Sequence, residues 1–187
     1  IDLSKTLSKF LIKNKINSKV LINASAIGFY SNKKMHYDDE VSETSNSGDS
    51  FLSKVCRLNE ESCEIFSNQG MRVLHLRIGM VLTKKFSLLI GLSSLLSIPI
   101  PGIKNNYFPW IHIDDVVGFI HHTLNNNLEG PFNLISPKSI THKDFYHMIR
   151  KHYKGIIPWI LFIPSFITKM AGDMSEIVLY GPKTSPI

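Results

Sequence analysis

Two short apolar runs constrain this chain more than any other feature. Val20-Leu21-Ile22-Asn23-Ala24-Ser25-Ala26 and Met71 to Ile78 are largely hydrophobic, with little of the in-and-out alternation of a half-wetted strand. Runs of this kind suit strands covered on both faces, as in a parallel sheet. Helical patterns separate them from the other apolar stretches. Ser4 to Lys15 brings Leu7, Phe10 and Leu11, with Leu3 just before, to helical spacing opposite lysines. Residues 31–50 are polar and read as a loop. Asp49 or Ser50 then caps a helix running to about Ser67, ended by Asn68-Gln69-Gly70.

The pattern continues downstream. Residues 86–97 read as a helix that the Pro- and Gly-containing segment 98–109 breaks. Trp110-Ile111-His112-Ile113 is a brief strand, and Asp114 caps a helix to about Leu124. Phe132-Asn133-Leu134-Ile135 is another strand, and Thr141 caps a helix through Tyr153. Alternation of buried strands with helices predicts an α/β fold with a parallel sheet.

Composition narrows the function. The 187 residues are 43% hydrophobic and 19% charged, enough for one packed domain and too apolar for a disordered chain. The formal charge of +6 is spread over pairs such as Lys33-Lys34, Lys84-Lys85 and Arg150-Lys151, with no clustered footprint for nucleic acid. Phe86 to Ile103 is uncharged over 18 residues, at the lower limit for a membrane span, but it holds four serines, two glycines and two prolines. Gly155 to Thr168 is shorter and contains Pro158 and Pro164. Both read as buried helix and loop, so no membrane span is expected. Cys56 and Cys63, seven apart on one predicted helix, would sit about 10 Å from each other, too far to bridge. That favours a reducing compartment. The chain begins at Ile1 and reads as an internal piece of a longer protein.

Chemical motifs are sparse. Neither G-x-G-x-x-G nor G-x-x-x-x-G-K-[ST] occurs, so any phosphate cradle is expected upstream of Ile1. His142, His147 and His152 are spaced by five, which does not put two ligands on one helical face, so no metal site is expected. Tyr30 precedes Lys34 by four, the spacing at which a lysine on the same helical face lowers a phenol pKa. Here the pair falls where a strand enters a polar loop, and it reads as coincidence. Asp114-Asp115 suits the positive end of a helix, with a pocket role for Trp110 or His112 as the alternative.

Several blocks now stand in one order. They are Asn23-Ala24-Ser25-Ala26-Ile27-Gly28-Phe29-Tyr30, Arg77-Ile78-Gly79-Met80-Val81-Leu82 and Pro109-Trp110-Ile111-His112-Ile113-Asp114-Asp115. Gly130-Pro131-Phe132-Asn133-Leu134-Ile135-Ser136-Pro137 and Gly172-Asp173-Met174-Ser175 follow. From about Val20 onward the chain resembles the atypical extended short-chain dehydrogenase/reductases, in the NAD(P)-dependent epimerase-family branch sometimes labelled cell-division inhibitor.

The resemblance implies a Rossmann-like, doubly wound parallel sheet whose N-terminal half, with the glycine-rich loop, precedes Ile1. Residues 1–82 would complete the dinucleotide-binding domain. Residues 83–187 would form a smaller substrate-binding region with a returning strand at about 130–136 and a family-specific segment from about 156. It further implies NADP(H), more readily than NAD(H), across the carboxyl ends of the strands. Ala24, Ser25, Cys56, Arg77, Ile78 and Gly79 would face the cofactor, with Ser25 as the catalytic candidate. Tyr30, Trp110 and His112 would face the substrate, and Tyr30 or His112 would substitute as proton donor. Gly79 reads equally as a simple turn glycine.

One departure stands out. Aligning Glu60 with the family's helix places Leu52 where these enzymes carry tyrosine and Cys56 where they carry lysine. The implied function is therefore an oxidoreductase or epimerase acting on an unidentified small molecule. The alternative is a non-catalytic NADP(H)-binding regulator or scaffold, linked to cell or organelle division. The expected location is cytoplasm or organelle interior, without secretion, and a homodimer is left open.

Overall fold

The computed structural model describes residues 2–31, 39–83, 98–101, 106–152, 160–163 and 183–185. The predicted helix over 86–97, Lys34 and the Gly172–Ser175 block lie outside them. Helix α1 (Asp2–Lys13) leads into β1 (Val20–Ala26), which ends in a 3-10 turn, Ile27–Tyr30. A short β2 (Glu40–Val41) precedes α2 (Phe51–Glu61) and the one-turn α3 (Glu64–Ser67). Then come β3 (Arg72–Ile78), β4 (Met80–Leu82) and β5 (Ile98–Pro101). The chain continues through β6 (Trp110–His112), α4 (Ile113–Asn125), β7 (Gly130–Leu134) and α5 (His142–His152). The short strands β8 (Ile160–Ile163) and β9 (Lys183–Thr184) follow.

The central sheet has the order β1-β3-β7, with both pairings parallel. Alternation along β3 gives each helical layer its own face of the sheet. Leu74 and Leu76 are buried together with Ile111, Val116 and Leu134, against which Phe119 and Ile120 of α4 also pack. On the opposite face Val73 and Leu21 pack with Leu11, Cys63, Phe66 and Met71. Helices therefore cover both sides of a parallel sheet, which is the Rossmann-like α/β arrangement.

Three local details differ from the sequence expectation. The helix expected to reach Ser67 stops at Glu61, because Ser62 Oγ donates to the Asn59 carbonyl at 2.7 Å and competes with the helical ladder. Cys63 consequently lies beyond α2, and both cysteines are free. Segments 98–109 and 155–168, expected as loop and as helix with loop, contribute β5 and β8, which pair in parallel. Pro99 and Pro101 are two residues apart, so their missing N–H groups fall on one edge of β5 and leave the other edge for β8. Finally, α4 is capped by His112, whose Nδ1 accepts from Asp114 N at 3.2 Å, and Asp114 falls in the first turn beside Asp115. The two remaining caps are those the sequence offers. Ser50 Oγ accepts from Ser53 N at 3.1 Å, and Thr141 Oγ1 accepts from Asp144 N at 3.1 Å.

The junction of the 3-10 turn with α2 is tightly built. Ser53 is fully buried and its hydroxyl meets the carbonyls of Gly28 and Ser31 at 3.0 and 2.6 Å. Gly48 N donates to Phe29 O at 2.8 Å, and a Cβ on Gly48 would collide with the backbone carbonyl of Ser31. Gly48→Ala is therefore expected to destabilise the chain by about 2–3 kcal/mol through forced backbone movement, read as a lower urea midpoint.

Candidate functional site

The parallel register lines up one row of polar residues near the carboxyl end of the sheet. Ser25 pairs with Arg77, and Arg77 pairs with Asn133, on three adjacent strands. Helix α2 adds Glu60 above that row. Arg77 donates to both carboxylate oxygens of Glu60, Nε to Oε1 at 3.0 Å and Nη2 to Oε2 at 2.8 Å. Ser25 Oγ also donates to Glu60 Oε1, at 2.6 Å. From Arg77 the network runs on: Nη1 donates to the Tyr30 hydroxyl at 2.7 Å, and that hydroxyl donates to Asn133 Oδ1 at 2.9 Å. Asn133 N in turn donates to Glu43 Oε1 at 2.8 Å. The guanidinium lies over the Phe29 ring, 3.5 Å from its centroid. Arg77, Glu60, Glu43, Tyr30 and Asn133 are all buried.

Burial sets the proton affinities here. It pushes the Tyr30 phenol above its ordinary value, partly offset by Arg77, and it raises the Cys56 thiol. Both groups are therefore protonated at neutral pH. Burial also lowers His75, whose Nδ1 lies 3.2 Å from Asn23 Nδ2.

An open cleft of about 220 Å³ lies beside this network, where β1 and β3 end. Ala26, Ile27 and Gly28 form one wall, and Ile78, Gly79, Met80 and Val81 form another. Phe108, Pro109 and His142 close it. Gly79 is required by close packing, since a Cβ there would stand 2.5 Å from Pro109 O. Leu52 and Cys56 stand next to the cleft: a Cβ on Gly28 would lie 3.6 Å from Leu52 Cβ and 3.8 Å from Cys56 Sγ.

The residues singled out from the sequence divide accordingly. Ile78 and Gly79 line the cleft, whereas Ala24, Ser25, Cys56 and Arg77 are not among its lining residues. The Ser25 hydroxyl and the Arg77 guanidinium are engaged with Glu60. Tyr30, expected to face substrate, is 1% exposed and sits inside the network; its phenol is held by Arg77 and Asn133. Trp110 lines a separate recess of about 10 Å³ with Ser136 and Thr184, and His112 serves as the α4 cap. Sequence reasoning passed over His142, which it weighed only as a metal ligand, and Phe108. The available signal was position: Phe108 leads into the Pro-Trp block, and His142 follows a helix cap directly. Among the described residues, no three His, Cys, Asp or Glu side chains converge as a metal site, and no helix is long and apolar enough to cross a membrane.

Two outcomes follow from this geometry. Glu60→Gln leaves the Arg77 guanidinium buried without its counter-charge, which is expected to cost about 3–5 kcal/mol of stability in urea unfolding. Desolvation lowers His142 from 6.5 to about 4. Between those values the unfolded chain binds a proton that the folded chain refuses, so stability is complete above pH 6.5 and falls as pH drops toward 4. The loss is expected to reach about 3 kcal/mol, and His142→Gln should remove that part of the pH dependence.

No protein-family model matches the chain. Curated relatives do. The epimerase family protein YfhF of Bacillus subtilis is 28% identical over 189 residues, covering 100% of this chain and 61% of the relative. The chloroplastic epimerase family protein SDR39U1 homolog of Arabidopsis thaliana is 30% identical over 173 residues, covering 90% of this chain and 48% of the relative. Among solved structures, the human epimerase family protein SDR39U1 (isoform 2) with NADPH superposes with a TM-score of 0.84 at 23% identity, over 99% of this chain and 63% of that one. The chain thus spans between about half and three fifths of the length of the proteins it matches. It is a homologue of the epimerase family proteins, with the Rossmann-like fold of the NAD(P)-dependent short-chain dehydrogenase/reductase epimerases.

Proposed function

We propose that this chain supplies the substrate-side half of a nicotinamide-dependent oxidoreductase or epimerase, with NADP(H) preferred over NAD(H). The observation that carries the reading is the apolar cleft at the carboxyl ends of β1 and β3. Open α/β sheets take their ligands at that edge. Its volume of about 220 Å³ is below that of a drug-sized pocket, so it suits the reacting end of a dinucleotide rather than the whole molecule. Gly28, Gly79, Ile78 and Val81 would give a nicotinamide ring largely apolar surroundings. Bound there, the cofactor would supply hydride chemistry, and the protein would supply orientation and exclusion of water.

The chain's own residues would act mainly by positioning. Ser25 spends its hydroxyl proton on Glu60, so toward a ligand it presents lone pairs and accepts. Cys56 is held as a neutral thiol beside Gly28 and would back the cleft without acid–base work. The small-molecule substrate is unidentified. NADPH in the human relative's structure supports the cofactor preference, and the chloroplastic relative supports an organelle location.

A second reading draws on the same network. With Tyr30 buried and Leu52 and Cys56 beside the cleft, a regulator or scaffold that binds NADP(H) without turnover also fits. For the full-length protein the first reading predicts saturable, NADPH-preferring binding in a fluorescence titration with NADH as control, followed by steady NADPH consumption once a carbonyl substrate is supplied. Binding without consumption across a broad carbonyl panel would favour the regulator. No binding at millimolar cofactor would sink both.

A further inference from the structure

The cleft has hydrocarbon and aromatic walls, chiefly Ile27, Ile78, Met80, Val81 and Phe108. Among its described lining residues, His142 is the one side chain with a strong hydrogen-bonding atom. That side chain is firmly held. Thr141 caps the helix it opens, and His142 N donates to Asn106 O at 2.9 Å. Phe108 N donates to Ile140 O at 2.8 Å, and its ring meets the imidazole edge-on with centroids 5.0 Å apart. The same ring stacks on Phe145 at 4.1 Å.

Within this frame His142 is 4% exposed, and its Nδ1 is buried without a hydrogen-bond partner. Buried polar atoms are nearly always partnered; Nδ1 is enclosed, so a ligand in the cleft would meet the imidazole through Nε2, the ring nitrogen that is not shut off. We propose that the His142 imidazole is the polar contact of a substrate subsite, exchanging one hydrogen bond with the carbonyl or hydroxyl of an uncharged, otherwise apolar small molecule.

The walls argue for an uncharged ligand. Apolar surface cannot solvate an anion, and burial keeps the imidazole neutral down to about pH 4, so it offers no counter-charge. A neutral imidazole still carries one donor and one acceptor, which suits either oxidation state of a carbonyl–alcohol pair. The proposal deepens the reading of this cleft as the reaction site and rests on it.

Three probes of similar shape test it on the full chain labelled with ¹⁵N-histidine: acetophenone, ethylbenzene and benzoate. Acetophenone is expected to bind roughly fivefold more tightly than ethylbenzene, the factor of one net hydrogen bond, and to shift a His142 ring nitrogen. Benzoate should bind weakest. His142→Phe keeps a ring against Phe108 and should equalise acetophenone with ethylbenzene, while His142→Gln restores part of the difference. Equal binding of the two neutral probes with no ring-nitrogen shift would overturn the proposal, as would tightest binding of benzoate. The unsubstituted chain alone decides between these results if a variant does not fold. NADPH titrated separately into the full-length protein tells the two readings apart: its failure to bind there removes the cofactor reading, whereas a missing probe preference with NADPH bound removes only the role of His142.

Discussion

The buried ion pair between Glu60 and Arg77 is the constraint on which the rest of the described site depends. It joins α2 to the central strand β3 by two hydrogen bonds at 3.0 and 2.8 Å. Removing two charges from water is costly, and the geometry must return that cost through bidentate contact and further partners. The surroundings provide them. Phe29 covers one face of the guanidinium, Tyr30 accepts from its remaining nitrogen, and Ser25 donates to the shared carboxylate. Because Ser25, Arg77 and Asn133 lie in one row of the register, the pair ties the ends of β1 and β3 directly and reaches β7 through Tyr30.

That arrangement divides the carboxyl edge of the sheet into two compartments. In the polar row Arg77 and Asn133 are buried and Ser25 is half-buried, and the network is internally satisfied at Arg77, Tyr30 and Asn133. The neighbouring cleft is largely apolar, with Gly28 and Gly79 in its lining. Several residues expected at a ligand lie outside the cleft lining. Ser25, Tyr30 and Arg77 shape the strand ends, while Ile78, Gly79 and the Phe108–His142 corner form the surface a small molecule would meet. A neutral imidazole in such a corner selects by one hydrogen bond, and the hydrocarbon around it selects by shape.

Much of the fold was legible because its causes are local. Strands at Val20–Ala26 and Arg72–Ile78 follow from unalternated apolar runs, and Ser50 and Thr141 are capping residues in the expected places. Boundaries were less legible where a side chain intervenes, as Ser62 does at the end of α2 and His112 at the start of α4. Strands β5 and β8 were missed because prolines that argue against a central strand are compatible with an edge. Among site residues, Ile78 and Gly79, expected to face a cofactor, line the cleft, whereas Tyr30, expected to face substrate, is buried in the Arg77 network.

By itself the sequence determined that this is an α/β chain with buried parallel strands, since periodicity and capping are written residue by residue. It also determined the ordered blocks by which the chain resembles the epimerase family. Only the tertiary structure decided which polar groups are spent on the protein and which remain for a ligand. Glu60 meets Arg77 across 17 positions and Tyr30 meets Asn133 across 103, separations that no local pattern encodes. His142 likewise becomes a buried imidazole at a cleft only when α5 docks beside Phe108 and the ends of β1 and β3. Its low proton affinity comes from that docking, because desolvation is a property of the surroundings and not of the residue.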